Sequence, residues 1–484
     1  MERKLDRIKN MAYKHSKDQI SAIETFIDFL NNDSQALIIT GSAGTGKTSL
    51  IKDYAKASKQ SNWNYIPLGV WGRSSSAVTQ ITGIPAITVA KYIKINKEIL
   101  DNKIDENSFT EWYKKQYSKR FLADLVEKYF SHEKNEVKGD VIVVDESSCL
   151  DDDALIQFTN FCIDNAVNDF KLVFIGDDCQ LPPIGQEESN GLNKPWIESN
   201  LGLTVSGVVE LTESHRTSEG PLSELWEELR PLAKSGASGE QARKIILNNI
   251  NNKEIVGFGL KHVIKECAEA YKKAPDEVVL ITPRNNEAFD FSTELRKVYY
   301  PDLFKSLDVG EKIRSEINGL NEEVLTGDEY EVAEIIEDTD KFTIIKAKEL
   351  TRKQEFTGFS GFIESLKDIF SIFESKEDRF LTIAVYKPPL SYFAEWVKRG
   401  GKGYLRVRMG NDWDEMGWEN GEDRTVDDIT SCKYAYTTTV HSAQGGEWEN
   451  VVLNLEPDKR NDTARFWYTA ATRAKKLLMV LRVE

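Results

Sequence analysis

Short runs of aliphatic and β-branched residues, each closed by a turn of glycine and polar side chains, recur through the first half of the chain. Gln35-Ala36-Leu37-Ile38-Ile39-Thr40 runs into Gly41, Asn64 to Val70 into Trp71-Gly72-Arg73-Ser74, and Val141-Ile142-Val143-Val144 into Asp145-Glu146. Lys171-Leu172-Val173-Phe174-Ile175 then meets Gly176-Asp177, and Val208-Val209-Glu210-Leu211 meets Thr212-Glu213-Ser214-His215-Arg216. Continuous apolar runs of this length fit parallel strands buried on both faces, and the polar turns at their carboxyl ends are where such sheets carry chemistry. The pattern predicts an α/β domain.

Between Lys91 and Gly139 the chain turns charged and aromatic, with Phe121, Leu122, Leu125, Val126, Tyr129 and Phe130 at helical spacing, which reads as an amphipathic insertion. Strand character returns in Glu277 to Thr282, Tyr434 to Thr438, Asn450 to Leu455 and Lys476 to Val483, so a second α/β unit is expected. A segment of alternating strands splits it, with Glu329 to Ile336 and Phe342 to Lys348 around an Asp338-Thr339-Asp340 turn, the signature of a small β-rich domain. The expected domains are 1–90 with 136–219, an insertion at 91–135, then 220–300 with 431–484, interrupted by 301–430.

Length supports this division, since 484 residues suggest roughly three domains. With 40% hydrophobic and 29% charged residues, and no apolar run near the ~20 residues that span a bilayer, a soluble cytoplasmic protein without a membrane partner is expected. The start, Met1-Glu2-Arg3-Lys4-Leu5-Asp6, lacks the apolar core of a signal peptide. Cys149, Cys162, Cys179, Cys267 and Cys432 are odd in number and scattered, which favours reduced thiols over a disulfide or metal framework. A net charge of −16 argues against coating nucleic acid by bulk charge. Any such contact belongs in a local groove with strong salt dependence.

The richest chemical signal is Gly41-Ser42-Ala43-Gly44-Thr45-Gly46-Lys47-Thr48, a match to G-x-x-x-x-G-K-[ST] placed between a strand and a helix-compatible segment from Lys47 to Ala57. Its glycines let backbone N–H groups turn onto phosphate oxygens, and the helix N-terminus adds positive potential. The expected triphosphate site therefore comprises Gly41, Ser42, Ala43, Gly44, Thr45, Gly46, Lys47, Thr48 and Ser49, with Lys47 on the β and γ phosphates and Thr48 ligating Mg²⁺. Asp145 is the second expected Mg²⁺ residue, and Glu146 the group that activates the attacking water.

Gly176-Asp177-Asp178-Cys179-Gln180-Leu181-Pro182-Pro183-Ile184-Gly185 resembles motif III of superfamily-1 helicases, in which the glutamine senses the γ phosphate. A Pro-rich turn after a strand explains Pro182 and Pro183 but not the Gly-Asp and Gln at these offsets. Other strings resemble the family in order: Leu211 to Arg216 motif IV, Tyr436 to Gly445 motif V, and Tyr468-Thr469-Ala470-Ala471-Thr472-Arg473-Ala474-Lys475 motif VI. The resemblance is closest to the RecD and Dda branch, especially Dda-like phage helicases, and Leu325-Thr326-Gly327-Asp328-Glu329 fits the opening of that branch's insert.

The resemblance implies two RecA-like P-loop domains with parallel sheets, a small insertion in the first and a β-rich SH3-like insertion in the second. It implies ATP and Mg²⁺ bound between the domains, with Lys47, Asp145, Glu146, Gln180, Arg216 and Arg473 catalytic. The two arginines would neutralise transition-state charge as the domains close. Implied partners are single-stranded DNA, tracked 5′→3′, and tailed duplexes, together with single-strand-binding or replication proteins; a monomer is expected. Trp71, Arg73, Ser74, Thr88, Thr282, Thr439, His441 and Gln444 are the candidate nucleic-acid contacts.

Several positions admit two readings. Gln19 matches the adenine-reading glutamine of the family, but Ser16-Lys17-Asp18-Gln19 is also a capping box. Trp71 either stacks on a base or packs in the core, and His441 either faces nucleic acid or packs at a strand end. Val70-Trp71-Gly72-Arg73-Ser74-Ser75 departs from the family's motif Ia, and Thr88-Val89-Ala90 lacks its histidine. Where relatives carry a duplex-splitting pin, Phe109 to Phe130 reads as helical, leaving Ile104 to Ser108 as a smaller candidate. Tyr392, Phe393, Trp396, Lys398, Arg399, Lys402, Tyr404, Arg406 and Arg408 suit either single-strand binding or a folded hairpin. Two other functions fit the same motifs: a single-strand translocase that displaces proteins while unwinding poorly, and a non-motor nucleotide switch.

Overall fold

The computed structural model describes residues 15–102 save 85, 138–213 save 166–168, 220–259, 277–299, 307–315, 329–350 save 339–341, 380–386, and 428–482 save 431 and 458–461, with 264–265, 267–269, 271 and 324. The chain divides into two compact units, one ending at Ser223 and the other running from Glu224 to Glu484.

Six strands form the sheet of the first unit: β1 (Ala36–Gly41), β2 (Asn64–Gly69), β3 (Ile87–Thr88), β4 (Gly139–Asp145), β5 (Asp169–Gly176) and β6 (Val205–Leu211), in the order β3-β2-β4-β5-β1-β6. Every pairing is parallel. β1 and β5 read as unbroken apolar runs because both are buried nearly end to end, with neighbours on each side. The helices α1 (Lys17–Phe29), α2 (Lys47–Gln60), α3 (Gly72–Thr82), α4 (Val89–Asn102), α5 (Asp152–Asp164) and α6 (Lys194–Asn200) accompany the sheet. One core joins Ile23, Phe26 and Phe29 of α1, Leu50, Ile51 and Tyr54 of α2, and strand residues Leu37, Ile39, Val141, Val143, Val173 and Ile175.

Register sets the position of the chemistry. Gly69 pairs with Asp145, Thr40 with Gly176, and Gly41 with Leu211. The carboxyl ends of β1, β2, β4, β5 and β6 therefore finish level, and the turns that follow them share one edge of the sheet.

In the second unit, β7 (Ile255–Gly259), β8 (Val278–Thr282), β15 (Thr437–Thr439), β16 (Trp448–Asn454) and β17 (Ala474–Arg482) form a five-stranded sheet, ordered β15-β8-β16-β17-β7 and again wholly parallel. α7 (Pro221–Lys234), α8 (Gly239–Asn248), α9 (Asn285–Tyr299) and α10 (Ala464–Ala471) belong with it; Trp226 of α7 donates its indole N–H to the Ala471 carbonyl at the end of α10 (3.3 Å). Between β8 and β15 the chain inserts β9 (Lys312–Ser315), β10 (Glu329–Asp338), β11 (Phe342–Glu349), β12 (Phe380–Tyr386), β13 (Asp428–Thr430) and β14 (Cys432–Tyr434), a six-stranded sheet that is antiparallel except where β12 meets β13. The α/β class and the two parallel sheets expected from the sequence are present. The pin candidate at 104–108, the helix expected over 109–130, the 325–328 string and the aromatic-cation cluster at 392–408 lie outside the described residues.

Two expectations change. Tyr434 to Thr438 is not one strand: Tyr434 ends β14 in the inserted sheet, and Thr437 begins β15 in the parallel sheet. The switch is made at Ala435 and Tyr436, where the Tyr436 carbonyl accepts the Tyr271 hydroxyl. β7 was not anticipated, because glycines interrupt Ile255-Val256-Gly257-Phe258-Gly259 and dilute the apolar signal.

The inserted sheet is wired to the parallel one through buried charge. Arg296 of α9 donates to both carboxylate oxygens of Glu311 (2.6 and 3.2 Å), with Asp308 3.7 Å away and the Tyr434 ring 4.9 Å from its guanidinium. Arg296 and Glu311 are both withdrawn from solvent. Arg314 of β9 donates to Glu329 of β10 (2.9 Å) and to the Thr437 carbonyl of β15 (3.3 Å). Removing one partner of such a pair leaves an uncompensated buried charge.

Candidate nucleotide site

The phosphate loop leaves β1 at Gly41 and enters α2 at Lys47. Gly44 and Gly46 adopt φ of 83° and 79°, left-handed angles that a Cβ disfavours, which is why the loop needs glycine at both positions. Thr45 closes the loop by donating from N and Oγ1 to the Ser42 carbonyl (3.4 and 2.9 Å). Gly46 caps α2 without a side chain, so the helix N-terminus is left as a backbone anion site. Lys47 folds its ammonium back onto the Gly41 and Ser42 carbonyls, both at 2.8 Å, neutral contacts that a phosphate would displace. Ala43 is buried within the loop and Ser49 is exposed.

Thr48, one residue into α2, donates its hydroxyl to Asp145 Oδ2 at 2.9 Å. Burial, then the neighbouring Glu146 charge, raises the Asp145 carboxyl to about 7, although Thr48 and Lys47 pull it down. Glu146 takes φ 58°, a strained choice for a residue with a side chain, and donates its N–H to Asp145 Oδ1 (3.1 Å). Its Oε2 is buried without a hydrogen-bond partner. On the adjacent strand end, Asp177 accepts the Cys179 N–H at Oδ1 (3.0 Å) and the Gln180 N–H at its carbonyl (3.2 Å), a tight turn that holds Gln180. Gln180 is buried, and its Oε1 has no partner. Buried polar atoms are nearly always paired, so two orphaned oxygens at one sheet edge mark a place built for something polar. The oxygen donors Thr48 and Asp145 fit Mg²⁺, a hard cation that suits ionised carboxylates and would restore the charge that burial suppresses in Asp145.

Gln19 reaches the same loop from α1. Its Nε2 donates to the Thr45 carbonyl (2.9 Å), while its Oε1 accepts the Ser16 N–H (3.1 Å) in a complete capping box. Both polar atoms of the side chain are engaged within the protein, and the bond to Thr45 braces the phosphate loop.

Comparisons with known proteins give several matches. A model of the AAA domain matches residues 14–245, and one of the UvrD-like helicase C-terminal domain matches residues 434–481. An uncharacterized protein of Methanocaldococcus jannaschii is 24% identical over 507 residues, covering 99% of this chain and 39% of that protein. The ATP-dependent DNA helicase PIF1 of Saccharomyces cerevisiae is 29% identical over 198 residues, 38% of this chain and 19% of that protein. The chain is similar to Pif1-like helicases of superfamily 1. It spans well under half the length of these two relatives. Among solved structures, the Pif1 helicase of Candida albicans matches with a TM-score of 0.49 at 15% identity, covering 98% of this chain and 95% of that one. The Bacteroides Pif1 helicase bound to single-stranded DNA gives 0.49 at 13%, with the same coverage. The first model covers the first parallel-sheet unit and runs on through most of α8, and the second covers the stretch of β15 to β17; each parallel-sheet unit has the RecA-like fold.

The remaining candidate residues sort by exposure. Trp71, 46% exposed, caps α3 at the end of β2 and is not a core residue. Arg73 is partly buried in the first turn of α3. Ser74 is buried, and its hydroxyl bonds the N–H and carbonyl of Trp71, both at 2.9 Å, so it shapes the turn that presents the indole. Thr282 is wholly buried, with its hydroxyl on the Arg284 carbonyl (3.0 Å). Thr88 caps α4 by accepting the Lys91 N–H (3.2 Å), and Thr439 bonds Ser442 (3.1 Å) in the turn after β15. His441 lies edge-on to Phe466 with centroids 6.0 Å apart, the packing alternative, and Gln444 is buried.

Arg473 is buried within its own unit, donating to the Thr469 and Gly446 carbonyls and to the Thr472 hydroxyl (3.0, 3.2 and 3.1 Å). Arg216 lies outside the described residues. Asp177 was missed among the site residues, although a buried acid directly after a buried strand is a legible signal.

Proposed function

We propose that the chain is an ATP-dependent DNA helicase that moves 5′→3′ on single-stranded DNA and unwinds tailed duplexes. The observation that carries this reading is the convergence, on one sheet edge, of an anion-binding loop, the Thr48–Asp145 pair, and the orphaned Glu146 and Gln180 oxygens. Such an edge suits a triphosphate, an attacking water beside Glu146, and a γ-phosphate sensor at Gln180. Mg²⁺, held by Thr48 and Asp145, would supply charge neutralisation at the phosphates. Lys47 would exchange its carbonyl contacts for phosphate oxygens, and Arg216 and Arg473 are carried forward as the arginines of the transition state. The match to a UvrD-like helicase C-terminal domain and the yeast relative's name support a motor over a nucleotide switch. The β-rich insert is taken as the SH3-like element, single-strand-binding or replication proteins as partners, and a monomer in the cytosol as the working form.

The test is ATP turnover with and without single-stranded DNA, followed by unwinding of duplexes carrying a 5′ or a 3′ tail. Turnover stimulated by DNA and unwinding from the 5′ tail alone are expected. Unwinding only from the 3′ tail reverses the direction, stimulated turnover without unwinding leaves a translocase, and turnover indifferent to DNA removes the motor.

Trp71 offers a separate check on the track. Its exposed indole on a braced turn suits base stacking, so Trp71→Ala should weaken single-stranded DNA binding by ~1–3 kcal/mol in a fluorescence titration while ATP turnover without DNA stays unchanged. An unaltered DNA affinity would remove Trp71 from the interface.

A further inference from the structure

Glu146 holds a backbone angle that a residue with a side chain rarely keeps, φ 58°, and such an angle persists only where the surroundings fix it from several sides. Three bonds do so from within the turn. Glu146 donates its N–H to Asp145 Oδ1 (3.1 Å), its carbonyl accepts the Cys149 N–H (2.9 Å), and the Ser147 carbonyl accepts the Leu150 N–H (3.2 Å). All three run inside residues 145–150 and would travel with the turn if it shifted. A fourth bond leaves it: the Ser147 hydroxyl donates to the Ile175 carbonyl of β5 at 2.9 Å, and Ser147 is wholly withdrawn from solvent.

The strand that this hydroxyl reaches gives the bond its meaning. Ile175 pairs with Ile39 of β1, and Gly176 with Thr40, one residue before the phosphate loop begins at Gly41. Ser147 thus registers the turn that carries Glu146 to the strand pair from which the loop departs. From the other side, Thr48 of the loop helix reaches Asp145, the residue before Glu146. The turn is also closely walled: a Cβ on Gly191 would stand 2.4 Å from the Ser147 carbonyl oxygen, and one on Gly176 would stand 3.1 Å from the Ser148 nitrogen. Within these walls the N–H and carbonyl of Glu146 are engaged, while its Oε2 is buried without a partner. A fixed backbone that carries an unpaired buried oxygen suits a group held ready for a polar reactant.

We infer that Ser147 is a positioning residue for ATP hydrolysis, its hydroxyl holding the Glu146 turn at a set place beside the phosphate loop. The inference rests on the ATPase reading above, with Glu146 beside the attacking water. Ser147 touches no reacting atom in that reading, since its one hydroxyl proton is committed to the Ile175 carbonyl. A reacting group displaced by about an ångström loses rate on the order of 10²-fold, whereas phosphate binding by the loop between β1 and α2 does not depend on where Glu146 stands.

The experiment measures single-turnover ATP hydrolysis, with single-stranded DNA and with protein in excess so that slow variants share one scale. The proteins are the full chain, Ser147→Ala, Ser147→Cys, Glu146→Gln and the double variant Ser147→Ala/Glu146→Gln. Ser147→Ala should lower the saturating rate about 10- to 100-fold, with the half-saturating protein concentration changed by less than about threefold. Ser147→Cys, close in shape but a weaker donor, should fall between it and the unsubstituted chain. In the Glu146→Gln background, Ser147→Ala should cost less than about twofold further, because a residue that acts through Glu146 has nothing left to position. A hydroxyl that only supports the fold would lower Tm and leave the rate per folded molecule unchanged; that result, or effects that multiply in the double variant, overturns the inference. If Ser147→Ala fails to fold, Ser147→Cys at the full rate does the same. Glu146→Gln at the full rate, or an unsubstituted chain without turnover, refutes the proposed function on which the inference rests, a result distinct from the others.

Discussion

Lys47→Ala is expected to reduce ATP turnover by at least about 100-fold, the scale of removing a charged donor from a transition state in a water-poor site. The argument starts from what Lys47 touches. Its ammonium rests on the Gly41 and Ser42 carbonyls, which belong to the loop itself and can return to water or rejoin the backbone network when the side chain is cut away. Alanine is also the better helix former at the first position of α2. Thermal stability should therefore stay within a few degrees while phosphate release collapses. Phosphate release measured beside a melting curve separates the two effects, and a folded variant retaining more than roughly a tenth of the turnover would sink the site assignment.

Glu146→Gln should behave differently. If Glu146 is the general base proposed above, turnover falls by about 10²- to 10⁴-fold on its loss, while ATP binding persists because the phosphate loop is untouched. The second half of the prediction concerns stability. Glu146 adds to the burial that already disfavours the Asp145 charge, and its Oε2 is buried without a partner. Replacing it with a neutral side chain of the same shape relieves like-charge repulsion at a strained backbone position without altering φ. The melting temperature should rise or hold, in keeping with the trade between activity and stability at catalytic sites. Equilibrium binding of a labelled ATP analogue, with a melting curve, checks both halves; loss of binding along with turnover would assign Glu146 to the phosphate cradle instead.

Parts of this arrangement were open to reading because the information was local. β1, β4 and β5 are buried along nearly their whole length, so each left an unbroken apolar run, and the turns that carry Lys47, Asp145-Glu146 and Gln180 follow directly. Other parts depend on partners far away in the chain. The region Cys432 to Thr439 keeps its apolar and β-branched character while crossing from one sheet to another, and no periodicity marks a change of partner. The burial of Ser74 and Thr282 follows from how α3 and β8 pack, which no motif spells out. Asp18 belongs to a capping box, and nothing local reveals that its carboxylate also accepts the Thr212 and Glu213 N–H groups, 194 and 195 residues downstream. Motif reading finds residues that act where they stand and overlooks those that act by holding something else.

The buried pair between Arg296 and Glu311 constrains how this half of the chain can evolve or be rebuilt. Arg296 comes from a helix of the parallel sheet, whereas Glu311 opens the inserted one, so trimming the insert away would remove Glu311, Asp308 and the Tyr434 ring together and leave the Arg296 cation without its ion-pair partners. The insert is heritable only together with its socket. Grafting it onto another parallel sheet of this kind calls for an arginine at the matching helix position, because Glu311 would otherwise be buried without its cation.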